Sequence, residues 1–266
     1  MTSLVLRSMT LPLVTALMMI ASPCQAQLDA TALGRLATLR QSPESAGSLV
    51  YRGDTFAQHT PGGAALYRYE RRVAATPTGL AAAHLTSDLA GQLLIVESVR
   101  LSPAYELQRL DVANQQSGYS GSVLLSGGGR HLEYQLNDKG KVSTASEDVS
   151  DPVVCGASLF GFILKNWDLL KGGATLPVRM IVLRDKTTYG FDLRFDKQAS
   201  GQASFSITPS SLLIRLAVAP LRVVFDASTR NAVRYEGRVP PMELVSGKLI
   251  DLDARVEYTS VATHYR

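Results

Sequence analysis

From residue 48 onward, apolar and polar residues alternate over long stretches with a period of two. Phe191, Leu193 and Phe195 alternate with Asp192, Arg194 and Asp196; Val233, Tyr235 and Val239 alternate with Arg234, Glu236 and Arg238. The longest run sets Ile250, Leu252, Ala254, Val256 and Tyr258 against Asp251, Asp253, Arg255 and Glu257. Before residue 150, Leu132, Tyr134 and Leu136 alternate with His131, Glu133 and Gln135. Successive strand residues point to opposite faces, so this pattern predicts strands with one dry and one wet face. A parallel sheet covered on both faces would read as continuous apolar runs, so the pattern favours an antiparallel sheet. Gly, Pro, Asn and Asp break the first half into segments predicted as strands near 48–58, 64–75, 79–86, 92–100, 104–113, 118–126, 130–137 and 140–146.

Residues 151–178 interrupt this rhythm. Leu159, Phe160, Phe162, Ile163, Leu164, Trp167, Leu169 and Leu170 leave Lys165, Asn166 and Asp168 as the clearly polar side chains, and the segment predicts a central helix at 152–171. Asp151 before Pro152 provides a start, and Gly172 with Gly173 a stop. A sheet of a dozen strands accumulates twist and curls or splits. The fold expected is therefore mainly β: a strongly curved antiparallel half-barrel or barrel meander, with one apolar helix on its concave face. Residues 210–219, ending at Pro220, are ambiguous between helix and strand. Residues 28–40 carry Leu33, Leu36 and Leu39 near helical spacing, a leading helix or a loose arm.

Residues 1–26 change the compartment expected. Arg7 precedes an apolar run from Met9 to Ala21, then small residues up to Ala26. That run falls short of the roughly 20 residues that cross a bilayer and reads as a secretory signal cut after Ala26. Pro23 before Cys24 argues against a lipoprotein site. The expected organisation is a signal at 1–26, an arm or short helix at 27–47 and one β domain at 48–266, secreted and periplasmic, with no membrane span in the mature chain. Without Arg7 the chain holds 26 Lys and Arg against 23 Asp and Glu, too even a balance to imply nucleic acid.

Candidate chemistry is sparse. Cys155 is the single mature cysteine, so no internal disulfide forms; at a helix start its thiol could be activated, or it could be a small buried side chain. His59, His84, His131 and His264 are isolated, with no zinc-ligand spacing, and neither a metal nor a cofactor is expected. Glu147, Asp148 and Asp151 form a small acidic cluster, most simply loop and capping residues. Gly127, Gly128 and Gly129 lie between strand-like runs and read as a hairpin turn, and Gly156-Ala157-Ser158 lacks the final glycine of a nucleophile elbow. Tyr51, Tyr67 and Tyr69 could stack on a ligand but more simply pack.

The order of strand meander, apolar helix and strand meander resembles curved half-barrels of the lipoprotein-localisation type and related secreted bacterial families. The segment 224–237, VFDASTRNAVRYEG, and the helix from Phe162 to Gly172 carry the resemblance, about a tenth of the chain. In the carriers the groove holds acyl chains. The resemblance implies that architecture and an apolar groove, with no residue-by-residue match of a binding set. The expected function is a non-enzymatic protein binding a lipid-like ligand or a lipidated partner. Phe160, Phe162, Ile163 and Trp167 would line the cleft, facing Phe191, Leu193 and Phe195. The alternatives are an envelope protein-interaction module with a filled core and a thiol-dependent hydrolase centred on Cys155.

Overall fold

A computed structural model describes residues 30–58 and 62–261. The signal-like segment, His59 and His264 lie outside the described residues. Helix α1 (Ala30–Arg40) precedes strands β1 (Ser48–Ala57), β2 (Tyr67–Thr76), β3 (Gly79–Ser87), β4 (Leu93–Leu101), β5 (Leu107–Asn114), β6 (Tyr119–Ser126), β7 (His131–Asp138) and β8 (Lys141–Asp148). The two-residue strand β9 (Val153–Val154) leads into α2 (Gly156–Lys165) and α3 (Trp167–Lys171). Then come β10 (Thr175–Val182), β11 (Thr187–Ala199), β12 (Gln202–Pro209), α4 (Leu212–Ala217), β13 (Leu221–Asp226), β14 (Ala232–Val245) and β15 (Lys248–Ser260).

These strands form a single, strongly curled sheet with the order β8-β7-β6-β5-β4-β3-β2-β1-β15-β14-β13-β12-β11-β10-β9. Each strand pairs antiparallel with its neighbours except at β9–β10, which is parallel. β1 pairs with β15, so two meanders meet at a central seam, Tyr51 opposite Ser260 and Ala57 opposite Ala254. Bulges at Leu49/Tyr51, Phe195/Lys197, Val224/Phe225 and Val239/Met242 supply bends. The last spans Pro240 and Pro241, which have no N–H to give to a ladder. Beyond that bend, Met242 meets the turn between β5 and β6: its carbonyl accepts from Gln116 Nε2 (2.8 Å) and Tyr67 Oη (2.5 Å), and its N–H donates to Gln116 Oε1 (2.7 Å). The edge strand β8 approaches the start of β11 where Thr187 Oγ1 donates to Glu147 Oε2 (3.3 Å).

The strand boundaries follow the sequence reading closely, but three expectations need correction. The central helix starts at Gly156 rather than Pro152, because Val153 and Val154 are drawn into a ladder with Arg179 and Met180. Cys155 takes the N-cap place expected of Asp151, its N–H donating to Ser158 Oγ (2.9 Å). The helix also breaks at Asn166 (φ −100°, ψ 15°), whose Nδ2 donates to Phe162 O (2.9 Å), and resumes as α3. Second, the sheet is not wet on one face throughout. α1 lies on the outer face of β3, β4 and β5, where Leu36 and Leu39 pack on Ala83, Leu85, Val96 and Ala113, and six consecutive residues of β3 are buried. Arg35 Nη2 fastens the helix to Asp111 Oδ1 (2.6 Å). Third, Val233 sits in a bulge, so Ala232 rather than Val233 faces Phe225.

The main core fills the inner side. Trp167 of α3 packs on Phe205 (ring centroids 4.9 Å) and Phe225 (5.5 Å); Phe160 of α2 packs on Phe225 (5.8 Å) and Tyr258 (5.7 Å). The ambiguous 210–219 segment forms the short α4, with Leu212, Leu213 and Leu216 exposed.

Candidate ligand-binding interior

Cys155 joins β9 to α2 and is 3% exposed. Its place at the helix start favours a thiolate, but burial dominates and, with the nearby Glu97 carboxyl, pushes the thiol up to about 11. It is therefore protonated at neutral pH. Iodoacetamide at pH 8 is expected to leave Cys155 unmodified in the folded protein for hours and to label it within minutes in denaturant. Rapid labelling of the folded chain, followed by intact mass, would contradict this.

Under the start of α2, register places four side chains in one row across the inner face. Tyr51 of β1 lies opposite Arg71 of β2, Arg71 opposite His84 of β3, and His84 opposite Glu97 of β4. Arg71 is 7% exposed, and both bonds it makes come from Nη1: to Ala157 O (2.7 Å) and to His84 Nε2 (2.6 Å). A guanidinium only donates, so Nε2 of His84 is the acceptor and the imidazole is neutral. Burial and the Arg71 charge hold its pKa well below the usual histidine value. Glu97 makes no hydrogen bond or ion pair among the described residues, and burial raises its carboxyl to about 7. Its charge is also felt by Tyr69, Tyr119 and Tyr235, whose hydroxyls burial pushes well up. Tyr51 stacks on Tyr69 and packs tilted against Tyr258, and its hydroxyl is buried with no partner among the described residues.

Two spaces flank α2. The inner one, about 60 Å³, lies between Phe160, Gly161 and Leu164 of the helix and a floor of Val73, Ala82 and Leu101, with Tyr51 and Arg71 in its wall. The outer one, about 450 Å³, opens between Phe162, Lys165 and Asn166 of the helix and Leu107, Leu125 and Leu176. Tyr105 lines both. It holds a left-handed backbone (φ 60°), unusual for a bulky side chain, and its ring lies over Gly161, where an added Cβ would stand 3.0 Å from Tyr105 Cδ1.

Of the seven cleft residues expected from sequence, Phe160 borders the inner space and Phe162 the outer. Ile163, Trp167, Phe191 and Leu193 are buried in the core, and Phe195 is half-buried against Phe205; these five border neither space. Sequence reasoning missed Arg71, Glu97 and Tyr105 and left His84 as one isolated histidine. The available signal was a charged side chain inside an apolar run, as in Leu93-Leu94-Ile95-Val96-Glu97-Ser98-Val99. Among the described residues no three His, Cys, Asp or Glu side chains gather as a metal set, and no helix is long and apolar enough to cross a membrane. Neither protein-family models nor curated protein sequences give a match to this chain.

Proposed function

We propose that this protein binds a lipid-like ligand along helix α2, outside the cytoplasm, without chemical turnover. The observation that carries the reading is the pair of spaces on either side of the helix, which share Tyr105: the inner is walled mostly by apolar side chains, and the outer joins Leu107, Leu125, Phe162 and Leu176 to a polar rim of Glu106, Arg130, Asp151 and Lys165. The larger is within the usual range for small-molecule sites, roughly 300–1,000 Å³. The protonated, buried state of Cys155 weighs against the thiol-hydrolase alternative. The secretory character of residues 1–26 supports the extracytoplasmic setting. The ligand class is suggested by the resemblance in sequence order, strand meander, apolar helix and strand meander, to carriers whose groove holds acyl chains.

Native mass spectrometry of protein from its own host, before and after organic extraction, tests the reading. A mass excess lost on extraction is expected. A mass equal to the bare chain would instead favour the interaction module, to which the exposed Leu212, Leu213 and Leu216 of α4 would be suited.

A further inference from the structure

We propose that the inner space receives the carboxylate of a single-chain fatty acid, bound by the Nε–Nη2 edge of Arg71. The inference rests on the lipid-binding reading above and adds the head group. Arg71 is a buried cation with no carboxylate at ion-pair distance among the described residues, an arrangement that is costly unless something compensates the charge. His84 cannot compensate it, because it accepts the Arg71 proton donor as a neutral ring. Glu97, next along the row, is perturbed by burial alone and shows no influence of Arg71. Both bonds of the guanidinium leave from Nη1. Its Nε and Nη2 make none among the described residues, and those two nitrogens form the edge that meets a carboxylate in a two-pronged pair.

Size and lining agree with this assignment. A space of about 60 Å³ has room for about four water-sized groups, enough for a carboxylate and its first carbons. Beside Arg71 the lining is apolar along Val73, Leu80, Ala82 and Leu101 below and Phe160 and Leu164 above, with Arg230 and Asn231 as its other polar members. The remaining chain would pass Tyr105 into the outer cleft of about 450 Å³. Arg230 also borders the space, but it pairs with Asp168 (3.5 Å) and lies over the Trp167 ring (5.1 Å), so Arg71 is the guanidinium there without a carboxylate among the described residues.

Calorimetric titration of the delipidated full chain with laurate, methyl laurate and dodecyl phosphate tests the proposal. Laurate is expected to bind at least about tenfold more tightly than its methyl ester, which keeps the chain and loses the charge. In Arg71→Gln this preference should vanish through loss of laurate affinity, with ester affinity retained. Arg71→Lys, which keeps charge but not the two-pronged edge, should fall between. If Arg71→Gln does not fold, the acid-against-ester comparison on the unaltered protein still decides. Equal affinity for acid and ester would overturn the head-group assignment and leave the apolar-ligand reading standing. Tighter binding of dodecyl phosphate than of laurate would overturn the choice of a carboxylate. Binding of none of the three would overturn both readings.

Discussion

Phe205→Ala is expected to lower the unfolding free energy by about 3–5 kcal/mol, a substantial share of what holds a domain folded. Phe205 of β12 has no accessible surface and touches three rings, Trp167 at 4.9 Å, Phe195 at 5.5 Å and Phe225 at 5.7 Å. Those rings come from α3, β11 and β13, so no single element can collapse to fill the gap. The loss therefore combines the transfer term of a large apolar group with a cavity term. Urea unfolding followed by circular dichroism would measure it. A shift below about 1 kcal/mol would mean that the inner core is loosely packed.

Glu97→Gln should have the next largest effect, and its sign depends on pH. In the folded protein burial raises the Glu97 carboxyl to about 7, whereas in the unfolded chain it has the ordinary value near 4.3. Between those values the folded state retains a proton that the unfolded state has released. The resulting stabilisation is full below the unfolded value and disappears as pH rises through about 7, a change on the order of 3 kcal/mol. The surrounding Tyr69, Tyr119, Tyr235 and Cys155 stay protonated over this range because burial raises them all. His84 acts in the opposite direction, since its lowered pKa costs stability as pH falls below the ordinary histidine value. That contribution is common to both proteins and cancels in their difference. At pH 8, Glu97→Gln should be more stable than the parent by up to about 3 kcal/mol, and at pH 4 the two should be nearly equal. Denaturant titrations at the two pH values decide it. A difference that does not grow with pH would show that Glu97 is solvated.

Both predictions concern the inner face, where the sequence was easiest to read in one respect and hardest in another. The strands were legible because turn residues such as Gly79, Gly91, Gly118 and Gly140 punctuate them and because alternation persists wherever one face meets water. The start of the central helix was not legible, since Asp151-Pro152 is a sound local signal that loses to a two-residue ladder with β10, a partner over twenty residues away in sequence. The dry outer face of β3 to β5 was hidden for a similar reason: only the docking of α1 turns Ala83, Leu85 and Val96 into core. In the candidate site, aromatic side chains were the natural guess for a cleft, yet Trp167, Ile163 and Leu193 spend their area on packing. Arg71, His84 and Glu97 stand thirteen residues apart in succession and become neighbours only through hairpin register. A period of thirteen has no local signature, because turn length and strand length both enter it.

The pairing of β1 with β15 bears on how the chain reaches this shape. Every other antiparallel neighbour is a hairpin or a near neighbour in sequence, so β2 to β8 and β10 to β14 can each zip from local nuclei. The seam between Tyr51 and Ser260 closes a loop of about 200 residues, an entropic cost that grows only slowly with length but must be met before the contact rewards it. Two preformed half-sheets would then wait on one late docking step. A chain truncated before Lys248 would retain both halves and lack the strand that joins them, leaving β1 and β14 as open edges prone to pairing with other chains.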